Sequence, residues 1–407
     1  MAAAMGPPGT RAFNVQNHTV PALRIAFYMP FKPLGHPHPS GDLIIGTELF
    51  QFLGERGHDI FPISPLRTRW IYWKPWQWAR TPIEIARARR LLKHRLPHLW
   101  LTYHSYYKAP DVLGAVCAPA CGLPYAIFQG VYSTKRRRDI STMPGFYLNR
   151  HALKRASVVF TNKRRDERNL RRLLPQDRLH YIAPGIRVSR FRYPLEDRIV
   201  RRKPGNSADA PVILTAAMFR PGVKTEGIAQ VIRSCGRVAR SGHHFRLIIC
   251  GDGPQKAYLQ QLAASEQLGD IVRFIGRIPR DQMPQVYAKA DLFVFPGIQE
   301  GLGMVYLEAQ ASGLPVVACA GWGASEVVRH NQTGLLNTAG DWQRFETHIV
   351  RLVTDGELRI TMGSAAARHV VRHHDLERNY RKLENLLNQL AVRSSGHGTL
   401  LWKDRGV

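Results

Sequence analysis

Two carboxylates, Glu300 and Glu308, lie eight residues apart within the stretch 293–328, and Gly301 and Gly303 follow the first. The run 304–312 reads as helical, and Gly313-Leu314-Pro315 ends it. Glycines at a loop-to-helix junction expose backbone N–H groups at the positive end of a helix, which makes a seat for a diphosphate. Carboxylates on either side of such a seat would repel the phosphates. They suit hydroxyls flanking the diphosphate, a sugar on one side and a ribose on the other.

Such a loop needs a strand before it and a helix after it, and the chain supplies that pattern repeatedly. The run 23–30 reads as a buried first strand, followed by a Gly/Pro/His/Ser loop and a helix that runs into a second strand by residue 64. Runs at 98–104, 123–129, 156–162 and 179–185 continue it. After a basic, Pro/Gly/Asn/Ser segment the alternation restarts, with short β-branched runs separated by helical stretches. The expected architecture is α/β, with two Rossmann-like doubly wound parallel-sheet domains. The expected division is a loose arm over 1–21, a first domain over 22–200, a linker over 201–211, a second domain over 212–375, and a C-terminal helix with its tail over 376–407. That helix is expected to pack back on the first domain. Ligands of such sheets bind at the carboxyl ends of strands, so a site shared by both would lie in the cleft between them.

The chain has 407 residues, 44% hydrophobic and 22% charged. That composition excludes a largely disordered chain, a collagen-like one and a small disulfide scaffold. The formal net charge is +28. It divides unevenly, +23 over residues 1–205 and +5 over 206–407. The surplus implies an anionic partner: nucleic acid, anionic membrane or phosphorylated substrate. No RRM, KH, zinc-finger or helix-turn-helix pattern accompanies it, so no specific nucleic acid is expected. Five cysteines leave one unpaired in any disulfide scheme, and the Cys117/Cys121 pair lacks a matching His or Cys cluster. Neither zinc nor disulfides are expected. With no basic start before an apolar core and no spanning apolar run, the expected location is cytoplasmic, peripheral at the inner face of the membrane.

The Glu300/Glu308 segment resembles the family 4 retaining glycosyltransferases (glycosyl transferase group 1) of the GT-B fold, whose signature is E-x7-E followed by "GLPVVA". The resemblance extends to "LIICGDGP" (247–254), "VRFIGRIPRDQMPQVYAKADLFVFP" (272–296), "ASEVV", "QTGLL" and "YIAPGI" (181–186). It implies that Glu300 bonds hydroxyls of the transferred sugar and Glu308 holds the nucleotide ribose. Gly301, Leu302, Gly303 and Met304 would form the diphosphate seat. It also implies a basic pair that neutralises the leaving diphosphate, here Arg220 and Lys224, with Met218 at about the family's usual Arg position. Gly251 lies in the "GDGP" turn, and Arg277 with Ile278 lies where the family reads the base. Gly41 falls where the family has a glycine-rich loop near sugar and acceptor. Where the family often has a His against the sugar, this chain has Gln129, which can hydrogen-bond a hydroxyl but cannot take a proton near neutral pH. His104, at the end of an earlier strand, is a second candidate at the cleft.

The resemblance implies a transferase that moves a hexose from a nucleotide diphosphate sugar to an anionic, membrane-associated glycan or lipid-linked acceptor, with retention. Neither a metal nor any cofactor beyond the donor is expected, and no D-x-D stands at a strand end. Trp70, Trp73, Trp76 and Trp78, followed by the basic run 83–96, look like a membrane-surface element, and the runs 133–139 and 162–174 add basic charge. The alternative is a basic nucleic-acid- or membrane-binding protein on the same fold without transferase activity.

Overall fold

The computed structural model describes residues 21–37, 40–191 and 210–398. Residues 1–20 of the expected arm over 1–21 and residues 201–209 of the expected linker over 201–211 lie outside the described residues. Two parallel six-stranded sheets carry the molecule, in the orders β2-β1-β3-β4-β5-β6 and β12-β11-β10-β7-β8-β9. The first holds β1 (Arg24–Tyr28), β2 (Asp59–Pro62), β3 (Leu99–Tyr103), β4 (Tyr125–Phe128), β5 (Val158–Thr161) and β6 (Leu179–Tyr181). The second holds β7 (Val212–Ala216), β8 (Arg246–Cys250), β9 (Val272–Gly276), β10 (Leu292–Val294), β11 (Val316–Cys319) and β12 (Gly334–Asn337). β3, β4, β5, β7, β10 and β11 are buried along their whole length, as strands covered by helices on both faces must be. Helices cover both faces because each parallel connection needs a crossover.

Strand order turns back between β1 and β3 in the first sheet and between β7 and β10 in the second. These switch points open a crevice at the carboxyl ends of the strands. The loops after β1, β3, β7 and β10 carry Lys32, His104, Arg220 and Glu300.

The helix Leu376–Gly398 belongs to the first sheet's core. Leu376, Tyr380, Leu383, Leu387 and Ala391, spaced three to four residues apart on one face, pack with Leu23, Phe27, Leu49 and Phe52. Its buried Glu384 fixes the register. Arg56 Nε donates to it at 3.2 Å and His58 Nε2 lies 3.0 Å away. His58 Nδ1 accepts the Leu23 N–H at 3.0 Å, so the proton facing Glu384 is on Nε2. All five cysteines are free thiols.

The crossover back to the first sheet runs through His374. Its carbonyl accepts the Ile186 N–H at 2.9 Å, and its ring nitrogen Nδ1 lies 2.8 Å from Pro184 O. His369 lies with its ring centroid 4.8 Å from His373 and 5.2 Å from His374. Burial, then the neighbouring histidines and Arg329, lowers His369 to about 4. The unfolded chain protonates it near 6.5, so it binds more protons than the native state between those values. Stability is expected to fall as pH drops from about 6.5 towards 4. Urea midpoints at pH 7.5 and 5.0 should differ in that direction, and His369→Asn should narrow the difference.

Candidate active site in the cleft

The second sheet supplies a glycine-built loop. β10 ends in the loop 295–303, in which Gly297 takes φ +62° and Gly303 takes φ +67°. A Cβ on Gly303 would lie 2.7 Å from the Tyr306 ring and 2.9 Å from the Gly323 carbonyl oxygen, so only glycine fits. Gly303 begins the helix Met304–Ala311, whose first turn has no side-chain cap and leaves its N–H groups directed at the loop. The Gly323 N–H donates to the Glu300 carbonyl oxygen at 3.0 Å and holds a second loop against the first.

Glu300 pairs with Lys224 Nζ across the mouth of this loop. Lys224 stands in the first turn of the helix Val223–Arg240, entered through Gly222 at φ +99°. Thr225 Oγ1 donates to the Arg220 carbonyl oxygen at 2.6 Å and fixes the loop that carries Arg220. The structure thus brings Glu300 and Lys224 into contact, although 76 residues separate them.

Glu308 lies deeper. Tyr287 Oη donates to it at 3.0 Å, and Arg280 Nε is 3.8 Å away. Burial raises the Glu308 pKa above the ordinary carboxyl range, Arg280 and Tyr287 oppose this, and the Glu48 charge adds to it. Arg280 also reaches Glu48, on the helix Gly41–Glu55 of the first sheet, at 3.0 Å. One guanidinium therefore spans the cleft between the two halves. Arg280 lies within the 272–296 run of the resemblance without a role being expected of it, and no motif marks Glu48.

Of the remaining predicted residues on this side, Gly251 takes φ +148° and donates its N–H to Gly276 O at 2.8 Å, joining the ends of β8 and β9. Arg277 is exposed and Ile278 half-buried after β9. Leu302 is buried in the first sheet's apolar cluster, so its side chain joins the two halves and only its backbone faces the loop. Gly301 faces the first half, because a Cβ there would lie 3.8 Å from Lys163 Nζ.

The first sheet supplies polar atoms without partners. Gln129 follows β4 and His104 follows β3, both in the left-handed region, at φ +62° and +63°. Such backbone in bulky residues concentrates where function demands a fixed side-chain direction. Gln129 is 1% exposed, yet neither its Oε1 nor its Nε2 has a hydrogen-bond partner. The Thr161 hydroxyl, at the end of β5, and Asn162 Oδ1, just after it, are buried and unpartnered in the same way. A row of desolvated, unpaired donors and acceptors at the carboxyl ends of β4 and β5 is costly and calls for a polar ligand. His104 Nδ1 is 3.4 Å from Asp42 Oδ1, and its ring stacks on Tyr106 at 4.5 Å. Burial lowers the His104 pKa, Asp42 opposes this, and Lys163 reinforces it, so the imidazole is neutral at pH 7. Gly41 only begins the helix capped by Ser40, with open space where a Cβ would stand. Its neighbour Asp42 is the residue that reaches His104. Among the described residues no group of three His, Cys, Asp or Glu could hold a metal.

Residues 197–369 match the sequence model of the family described as glycosyl transferases group 1. The chain carries a glycosyl transferases group 1 domain. That group 1 domain holds Arg220, Lys224, Arg280, Glu300 and Glu308. Over 198 residues the chain is 32% identical to the GDP-mannose-dependent alpha-(1-6)-phosphatidylinositol monomannoside mannosyltransferase of Mycobacterium tuberculosis, covering 47% of this chain and 51% of the relative. The chain thus spans about half the length of that relative. The N-acetyl-alpha-D-glucosaminyl L-malate synthase of Bacillus anthracis is 23% identical over 370 residues, 86% of this chain and 94% of the relative. The sucrose-phosphate synthase structure from Thermosynechococcus elongatus superimposes with a TM-score of 0.68 at 20% identity, over 91% of this chain and all of that one. The fold around the group 1 domain is GT-B, with two parallel doubly wound sheets facing across a cleft.

Proposed function

We propose that the chain transfers a hexose from a nucleotide diphosphate sugar to an anionic acceptor at a membrane surface, with retention of the anomeric configuration, as a family 4 enzyme. The observation that carries this reading is the Lys224–Glu300 pair at the mouth of the glycine loop, together with the unpartnered amide of Gln129 at the carboxyl end of β4. Ribose hydroxyls donate to the Glu308 carboxylate. The diphosphate lies on the N–H groups at Gly303 and Met304, with Lys224 and Arg220 as counter-charges. Sugar hydroxyls donate to Glu300 and to Gln129 Oε1, and Gln129 Nε2 donates to a hydroxyl oxygen.

In the reaction the bond from the anomeric carbon to the phosphate oxygen breaks, and its electron pair stays on that oxygen. The acceptor hydroxyl oxygen bonds to the same face of the carbon, and its proton passes to the departing phosphate. Gln129 moves no proton, so this route suits the residue present. The acceptor is anionic in both curated relatives by their printed names, a phosphatidylinositol monomannoside and L-malate.

UDP-, GDP- and ADP-sugars, with GDP-mannose first, should be screened for donor hydrolysis and transfer, with NMR of the anomeric product. One of them should release its nucleoside diphosphate, and the transferred sugar should keep its configuration. Binding of none of these nucleotides would end the reading, and an inverted product would end its stereochemical part.

The membrane part rests on one face of the first half. Trp76 is 62% exposed and Ile140 77%, with Trp73, Trp78 and Met143 also exposed nearby in the chain. Trp73 Nε1 donates to Ser141 O at 2.8 Å and ties the Trp segment to the basic loop 134–142. Arg136 lies 4.4 Å over the Tyr107 ring and Lys108 5.5 Å over Trp70. Apolar rings beside cations suit an anionic bilayer interface. No helix among the described residues is long and apolar enough to cross a membrane. The double variant Trp76→Ser/Trp78→Ser is expected to bind anionic vesicles about tenfold more weakly. Unchanged vesicle sedimentation in that variant and in Arg136→Gln/Arg137→Gln/Arg138→Gln would remove membrane docking.

A further inference from the structure

We propose that Lys32, Arg67 and Arg69 form a binding site for a phosphate group of the acceptor, at the carboxyl end of β1. That the bound molecule is the acceptor rests on the transfer reading above. The site itself rests on the following geometry.

Phe31, just after β1, is the centre of the cluster. Lys32 Nζ lies 5.9 Å and Arg69 Cζ 6.0 Å from its ring centroid. Arg67 Nε donates to the Phe31 carbonyl oxygen at 3.0 Å. Thr68, between the two arginines, is fully buried. Its hydroxyl donates to Pro110 O and its N–H to Pro30 O, each at 2.8 Å. The backbone that carries both arginines is therefore stapled to the β1 loop, with Lys32 and Arg67 half-buried and Arg69 exposed.

They are held together at a cost. Burial is the main force that lowers the Lys32 pKa, and the charges of Arg220, Arg67 and Arg69 add to it, against Asp42. Burial and then Arg69 lower Arg67. Asp42 is shared with His104. A tetrahedral phosphate anion would relieve that repulsion and match the donors of two guanidinium forks and an ammonium.

The site lies on the first sheet's side of the crevice and borders the donor's diphosphate seat through Arg220, whose charge acts on Lys32. Phe31 packs edge-on against His104 at 5.9 Å and Tyr106 at 5.5 Å, on the first sheet's side of the crevice. A cavity of about 270 Å³ adjoins the cluster, lined by apolar groups that include Leu34, Ile63 and Pro65. A phosphate at Lys32 would thus sit near both His104 and apolar space. A soluble phosphorylated polyol presents a phosphate monoester and a phospholipid headgroup a singly charged phosphodiester, and both offer anionic phosphate oxygens.

The test uses the full chain saturated with whichever of GDP or UDP binds it, so that the donor seat is filled. Glycerol 3-phosphate is then titrated against glycerol. The phosphate ester should bind, more weakly as salt rises, and glycerol should not. Lys32→Gln/Arg69→Gln should weaken that binding about tenfold or more, Lys32→Arg/Arg69→Lys should restore most of it, and the distant exposed variant Arg368→Gln should match the native chain. A parallel arm compares phosphatidylinositol with phosphatidylcholine vesicles. A phosphatidylinositol preference lost in the double variant assigns a lipid source, whereas binding in the soluble arm alone assigns a free phosphorylated acceptor. Equal affinity in the native chain and the double variant, or no phosphate binding in either arm, overturns the site. If neither of these nucleotides nor ADP binds, the transfer reading fails, and the same titration on the nucleotide-free chain still decides the phosphate site.

Discussion

Lys224→Gln is expected to lower the rate of hexosyl transfer by on the order of 10²–10³-fold while the protein stays folded. The proposed step places new negative charge on the departing phosphate oxygen, and a cation fixed beside it lowers the barrier because that charge grows in the transition state. Lys224 is held there by Glu300 and by the first turn of its helix. Removing it also leaves the Glu300 carboxylate without its partner beside the diphosphate seat, where it repels the donor. Both kcat and donor affinity should therefore fall, and kcat more. Glu300→Gln should fall less in donor affinity, since the neutral amide still meets hydroxyls and Lys224 is left to the diphosphate. Because the two side chains touch, the double variant should lose less than the sum of the single losses. Steady-state kinetics over the four proteins measures this. A Lys224→Gln enzyme with more than about a third of native kcat would remove the lysine from the transition state.

Gly251→Ala is expected to destabilise the second sheet by about 3 kcal/mol or more. At φ +148° an L side chain is strained, and the new Cβ would overlap the Ala217 carbonyl oxygen and lie 2.7 Å from the Phe219 ring. The obstacle is backbone, so no rotamer change relieves it. The strand ends are stitched at this point: Ala217 N–H donates to Cys250 O at 3.1 Å and Phe219 N–H to Asp252 O at 3.0 Å. Moving one end moves the other, and with it the loop of Arg220 and Lys224. The midpoint of thermal unfolding should fall by about 6 °C or more. Gly41→Ala is the contrast. It lacks a positive φ and has nothing within 4 Å of the added carbon, so its midpoint should hold or rise slightly. A Gly251→Ala protein that melts with the native one would show that the strand ends give way freely.

These two glycines show how far the sequence could be read. Both were expected near a ligand by position in a family pattern, yet one is fixed by a carbonyl of the neighbouring strand and the other by nothing but its helix. Whether a glycine is required depends on what stands 4 Å away, and that neighbour is set by sheet packing. Gln129 carries the same lesson from the other side. Its place at the end of β4 was legible, but its unpartnered amide is a property of its burial. Lys163 read as one charge in the basic run 162–174, and the structure places it against Gly301. The Trp segment read as a cluster in a loop or a membrane element. It folds as a 3-10 turn, Ile71–Trp73, leading into the helix Pro75–Arg95.

The sequence by itself determined what is local and periodic. Runs of β-branched residues alternating with helical spacing specify two parallel doubly wound sheets, because each pattern selects its own backbone. The spacing of Glu300, Gly301, Gly303 and Glu308 specifies a loop-to-helix junction with a carboxylate on either side. The split of charge between +23 and +5 was also legible, since charge needs only counting. Tertiary structure alone decided which side chains face one another across the cleft: Lys224 with Glu300, Arg280 between Glu48 and Glu308, and Asp42 with His104. It also drew Lys32, Arg67 and Arg69 around Phe31. These pairs join segments folded on separate strands or separate sheets, and no period or spacing along the chain records the angle at which two packed sheets meet.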